Sequence, residues 1–342
     1  MPQLDSTTPI DQASISSDSP ERLRTDPRLL LEVRRLSKLS EPRALFSVAK
    51  EWAFVFSAVV LWCMLPEDLG VLRWVLYVAS VIVIGARQHA LLILVHEAAH
   101  FRISQNKGRN ELFSDLFCAF PLGIATEIYR NLHLRHHQYI NTAKDPDWKI
   151  IQNVEEWRWP KAKLSALWIF FSDLIGLGAH KVLAILIRYS PFRRIIYKKS
   201  IKIQPGVFLR FVVFYAIAIL ILTFFDLWFL FFLFWVVPLL TALLPISRLR
   251  AIAEHMVVEC EHELNSTRHV DCNRFERFLV APLNVNYHLT HHLYPSIPCY
   301  NLPEMHKILM REEVFRDNAH LTAGYWGLRS TLWQELTEPR SH

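Results

Sequence analysis

The sequence predicts an all-α integral membrane protein in which four spanning helices form two hairpins. Three observations predict it. Residues 207–245 are 39 consecutive positions with only two charges, Arg210 and Asp226, a run foreign to a wholly soluble or disordered chain. Two further apolar segments near spanning length lie at 44–65 and 71–88. Charged residues are 20% of the 342, below the roughly 25% of soluble domains.

The elements follow in order. Residues 1–20 are rich in Ser, Asp, Pro and Thr and are expected to be disordered. No basic stretch followed by an apolar one opens the chain, so no cleaved signal peptide is expected. Residues 21–43 carry seven Lys or Arg and are expected to form a short amphipathic helix on the membrane surface. The first span is expected at about 44–65, with Lys50 and Glu51 near its start, and the second at 71–88. Between them Pro66-Glu67-Asp68-Leu69-Gly70 breaks helix. The third and fourth spans, 207–225 and 227–245, turn around Asp226. Residues 164–187 are apolar but interrupted by Asp173, His180 and Lys181. They are expected to lie flat in the interface, because one extra crossing there would separate the middle and last histidines onto opposite faces.

Charge orients these spans. Seven basic residues precede Ala44, seventeen lie in 101–206 and ten in 246–342, while the two short joints carry none. The positive-inside rule places both termini and the middle segment in the cytoplasm. The net charge of +6 is therefore a topology signal, and no nucleic-acid partner is expected. The five cysteines are odd in number and lack paired spacing, which excludes a disulfide framework or zinc ribbon and suits reduced thiols facing a cytosol.

Sixteen histidines are unusual, and nine fall into four groups. These are His96 and His100; His133, His136 and His137; His255; and His288, His291 and His292. Spacings of three and four put side chains on one helix face, and imidazole suits zinc, copper, iron or nickel. A catalytic zinc takes about three protein ligands, so nine imidazoles oversupply one ion and suit a binuclear centre. Helix rise gives a second argument. His96 lies about 12 Å past Gln88, and His255 about 13 Å past Ile246, so both reach a similar height above one membrane face. His89, His180, His262, His269, His306, His320 and His342 are expected to be surface or core residues. His89, seven residues before His96 on the same helix face, is the one placed to support a ligand.

Two rival readings use the same residues. His96-Glu97-Ala98-Ala99-His100 matches the H-E-x-x-H zinc protease motif, but that leaves seven metal-spaced histidines unexplained. Glu97 is expected instead to hydrogen-bond an imidazole. A catalytically silent metal-binding sensor or scaffold has no sequence feature in its favour.

At these residues the sequence resembles the integral-membrane fatty acid desaturase and hydroxylase superfamily. The resemblance rests on three histidine boxes, His96-x-x-x-His100, His133-x-x-His136-His137 and His288-x-x-His291-His292, in order around a transmembrane hairpin. Asp145-Pro146-Asp147 and His292-Leu293-Tyr294-Pro295 add to it. It implies a desaturase-like membrane domain over 44–310, with 1–43 as a cytosolic tail and 311–342 as a cytosolic extension. It further implies a four-helix membrane stem under a cytosolic helical cap that holds two irons, with O2 as co-substrate. His255 matches an additional ligand that members carry after the fourth span. Members often have Asn one turn earlier, where this chain has Ala251, so the surroundings of one iron must be completed otherwise. No His-Pro-Gly-Gly haem motif occurs, so the electron donor is expected to be a separate ferredoxin, rubredoxin or cytochrome b5.

The activity implied is O2-dependent desaturation of a fatty acyl chain or another long apolar molecule. Hydroxylation, carotenoid ketolation and alkene-forming oxidative decarboxylation belong to the same chemistry, and the ligands do not separate them. Tyr129, Trp148 and Trp157 are candidates to line an apolar tunnel. Asn284 and Asn286 are candidates to hydrogen-bond the ligands.

Overall fold

The computed structural model describes residues 22–193, 203–327 and 331–338. The expected disorder of 1–20, and His342, lie outside them. A single helical turn, Arg22–Thr25, leads into α1 (Pro27–Leu36), whose N-cap Asp26 accepts from the Arg28 N–H. The apolar face expected to meet a membrane meets protein. Leu23, Leu29 and Leu36 are buried against Leu289, Leu293, Tyr294 and Ile297, although Leu30 and Leu31 stay exposed. Arg35 pairs with Glu304 at 2.6 Å, and Arg24 pairs with Glu263.

Four helices are long and apolar enough to cross a bilayer: α2 (Glu41–Cys63), α3 (Val71–Ala99), α8 (Pro205–Phe224) and α9 (Trp228–His255). Pro sits in the first turn of α2 and of α8, where its missing N–H costs nothing. The expected breaks are present. Gly70 at φ 55° separates α2 from α3, and Asp226 at φ 52° separates α8 from α9. α3 is the central strut: 67% of its apolar window is buried, against 22%, 11% and 28% for the other three, which leave theirs open to lipid. At 29 residues it is about 44 Å long. That exceeds the roughly 30 Å of bilayer hydrocarbon, so it continues well past Gln88.

Polar clamps tie these helices. Arg87 of α3 meets Glu51 of α2 at 2.7 Å, both almost fully buried. Gln88 donates to the Trp235 carbonyl at 2.9 Å. α9 contains a π turn (Phe232–Val236) and an irregular Thr241 (φ −121°, ψ −82°). Beside that irregularity a Cβ on Gly85 would stand 2.6 Å from the Ala242 Cβ, so the close approach of α3 and α9 requires glycine there.

Two apolar segments are bent rather than straight. α6 (Lys163–Leu174) and α7 (Ala179–Tyr189) meet at 68°. At 12 and 11 residues, each is too short to cross alone. Asp173 joins this pair to α9 through Arg248 at 2.6 Å. The second bend had no counterpart in the sequence reading. α4 (Lys107–Ser114), extended to Leu122, meets α5 (Thr126–Tyr139) at 91°. Pro121 and Gly123 (φ 77°) make that corner. The carbonyls freed there accept from the Tyr215 hydroxyl (2.7 Å) and the Trp235 indole (2.9 Å), which is how irregular backbone survives in apolar surroundings. After α9, α10 (His288–Leu293) and α11 (Leu332–Thr337) follow. Strands β1 (His269–Val270) and β2 (Leu321–Thr322) pair in parallel, His269 against Leu321.

Candidate metal centre

Four helices deliver the nine grouped histidines. His96 lies in the last turn of α3 and His100 caps it. His133, His136 and His137 occupy successive turns of α5. His255 is the last residue of α9, and α10 carries His288, His291 and His292. All nine come together, in two groups. His96, His100, His133, His137 and His291 each offer a ring nitrogen within 4.8 Å of the others. The second group joins His136, His255 and His292, with His288 2.9 Å from His292 and 3.0 Å from His255. The groups abut where His137 stacks on His292, ring centres 4.1 Å apart.

The donor set fits cations better than it fits itself. His133 Nε2 faces both His100 Nε2 (2.9 Å) and His137 Nε2 (3.0 Å), and His291 Nε2 faces His137 Nε2 at 3.2 Å. A neutral imidazole has one N–H and one lone pair, so in this row Nε2 of His133 and Nε2 of His137 must each divide a single N–H or lone pair between two partners. Both ring nitrogens of His96 are buried without a hydrogen-bond partner, as are Nδ1 of His255 and His291. Buried polar atoms without partners are costly, and ligation would satisfy one of the two on His96. Burial pushes His100 down to about 3, with Arg102 and Arg130 adding to it, and holds His288, His291 and His292 well below the usual histidine range. These four rings are therefore neutral, the state that ligates metal.

Carboxylates stand behind the rings. His136 Nδ1 donates to Asp145 Oδ2 at 2.9 Å, which leaves Nε2 as the free lone pair. Burial is the largest influence and raises a carboxyl's pKa, but that hydrogen bond, the His136 charge and the N–H groups of Asp147 and Asn141 together outweigh it, and Asp145 lies below its ordinary value. Glu254 Oε1 lies 3.3 Å from His288 Nδ1, and Glu254, His255 and His288 form a ligand-competent trio. Glu254 belongs to no spaced motif, and its adjacency to His255 is the one signal the sequence offers for it. Glu97 is 3.6 Å from His96 Nδ1, beyond a good hydrogen bond, and its Oε2 accepts from the Cys299 N–H at 2.8 Å. That engagement is unlike a protease general base, which must face a metal-bound water.

Other candidates sort differently. The Asn284 amide donates to the Cys299 carbonyl (3.1 Å) and the Asn286 amide to the Val270 carbonyl (2.9 Å), so both amide groups serve the backbone rather than imidazoles. His89 pairs with Ser247 Oγ at 3.1 Å, bridging α3 and α9. Tyr129 stacks on His133 and so adjoins the centre. Trp157 lies under Arg248, and both Trp148 and Trp157 pack in the cluster around Ile252 and Val285.

Comparison with known proteins bears on this geometry. The family model described as fatty acid desaturase matches residues 72–324. The dihydrorhizobitoxine desaturase of Bradyrhizobium elkanii is 32% identical over 263 residues, 75% of this chain and 73% of that protein. A sphingolipid delta(4)-desaturase of Mus musculus is 22% identical over 79% of this chain and 76% of its own length. A sphingolipid delta(4)-desaturase/C4-monooxygenase of the same organism is 28% identical over 73% and 70%. Their extent, with the nine histidines gathered into two adjoining groups, shows that the chain belongs to the fatty acid desaturase family and is a desaturase-like oxidoreductase.

Proposed function

We propose that each histidine group holds one iron and that the protein desaturates an aliphatic chain at the expense of O2. The observation that carries this reading is the division of nine imidazoles into adjoining groups of five and four. Bound iron would supply O2 reduction and the oxidising power for C–H cleavage. The chain's own residues do the rest. His96, His100, His133, His137 and His291 hold one ion. His136, His255, His288 and His292 hold the other, with Glu254 completing the side where relatives often have Asn and this chain has Ala251. Asp145 and Glu254 fix ring orientation, and the buried setting keeps water from competing with substrate.

The substrate is a lipid acyl or other long apolar chain, in keeping with the sphingolipid relatives. Electrons come from a separate ferredoxin, rubredoxin or cytochrome b5. The two helix hairpins form a stem within a membrane domain spanning 44–310, with the helical cap, the centre and both termini on the cytoplasmic side. Hydroxylation is the second reading, favoured by the relative named both desaturase and C4-monooxygenase.

Two measurements test this. Metal analysis of the purified chain should return about two irons; one zinc without iron would overturn it. Lipids of cells expressing the chain should contain a new double bond that is absent with His136→Ala. A new hydroxyl alone would select the second reading.

A further inference from the structure

A narrow cavity of about 10 Å³ touches both histidine groups. His96 and His291 border it from one group and His288 from the other, while Ile93, Leu283, Val285 and Leu302 supply apolar walls. Such a volume is about what one water needs, so an aliphatic chain enters only if a wall gives way. One wall is unusual. Leu283 and Asn284 both adopt left-handed backbone, φ 56° and 60°. Asn tolerates that region; a bulky leucine rarely does. Strain of this kind persists only where the surroundings over-determine it, and it clusters at functional sites.

The surroundings do over-determine it. The Asn284 amide donates to the Cys299 carbonyl (3.1 Å), and the Cys299 N–H donates to Glu97 beside His96 (2.8 Å). The strained turn is thus tied to the helix end that carries the first histidine box. Leu283 also packs against three separate hydrophobic clusters, one in the membrane stem and two above it.

We propose that Leu283 is a specificity-determining residue: on a backbone held in place, its side chain is the wall that turns aside to admit an aliphatic substrate and registers it between the two histidine groups. The proposal rests on the desaturase reading above. Removing the wall should blur which carbons meet the centre, and enlarging it should shut the chain out. In balanced form, the reaction whose position it selects converts –CH2–CH2– with O2, two electrons from the donor protein and two protons into –CH=CH– and two waters.

The test uses cells expressing the full chain with a ferredoxin donor system and fed deuterated saturated fatty acids of graded length. For the wild type one double-bond position should dominate. Leu283→Ala should lower the ratio of that isomer to its neighbours at least tenfold. Leu283→Phe should lose product at least tenfold while iron content stays at the wild-type level. An isomer ratio within twofold of wild type in Leu283→Ala would overturn the proposal, since a purely structural role lowers yield without moving position. Melting in detergent reads the strain independently of substrate. Leu283→Gly should melt above Leu283→Ala, because only glycine is relaxed at this φ; the reverse order would overturn the proposal. A wild type that yields no labelled product would count against the acyl-substrate reading, and the melting order would still judge the strained wall.

Discussion

At the scale of single residues, the proposed centre depends on groups outside its histidine set. Asp145 uses both carboxylate oxygens as acceptors: Oδ2 takes the His136 Nδ1–H and the Asn141 N–H (3.0 Å), and Oδ1 takes the Asp147 N–H (2.8 Å). Asp145→Asn replaces one acceptor with a donor facing N–H groups. Iron affinity or turnover should fall about 10–100-fold, read by iron titration and product formation, and wild-type values would remove Asp145 from this role. The box histidines were legible because spacings of three and four are local. Glu254 was not, because its partner His288 comes from a distant helix. Leu283 was not, because a Leu-Asn pair carries no turn signal comparable to glycine.

At the scale of elements, the end of α9 must be fixed for His255 to arrive. The guanidinium of Arg268, 1% exposed, donates to the carbonyls of Ala253 (2.8 Å), Met256 (3.0 Å) and Val257 (3.0 Å). These are carbonyls that a helix end leaves without partners. Glu335 of α11 holds that guanidinium at 2.7 Å and also accepts from Thr322 (2.6 Å). Leaving Arg268 without its carboxylate should cost about 3 kcal/mol or more, measurable in Glu335→Gln by denaturation in detergent. The pH dependence has a definite sign. Burial raises the Glu335 pKa, but the His320 hydrogen bond and Arg268 outweigh it and bring it down to about 2. A depressed carboxylate pKa stabilises the fold fully above the unfolded value of about 4.5 and less as pH falls toward 2. The stability gap between wild type and Glu335→Gln should therefore close across that window; a gap constant from pH 7 to 3 would exclude the link. The spans themselves were legible as apolar runs. The 91° corner between α4 and α5 was not, because its support comes from Tyr215 and Trp235 on distant spans. The destination of α1 was likewise hidden, since amphipathicity says that a face is covered but not by what.

At the scale of the whole molecule, the proposed arrangement puts both bent pairs on one side of the bilayer. Single cysteines placed near His100 and near His292 should react with an impermeant thiol reagent only from the cytoplasmic side. Labelling from opposite sides would mean that a bent pair crosses. The membrane class and the grouping of nine histidines were both readable in advance, because hydropathy and helical spacing are properties of contiguous sequence. The division into five and four was not, since it depends on which distant helices approach each other.

The uninterrupted course of α3 from its apolar half to its terminal histidines makes that helix a matter of phase. Adding one residue between Val81 and Gly85 would turn everything beyond it by about 100° and lift it about 1.5 Å. Gly85 would then leave Ala242, Arg87 would leave Glu51, and the two imidazoles at the tip would swing off their partners together. Loops elsewhere absorb a change in length locally. Here a single-residue insertion in the apolar half would be felt at the histidine groups, so that half of the helix is held to an exact residue count by the side chains gathered at its far end.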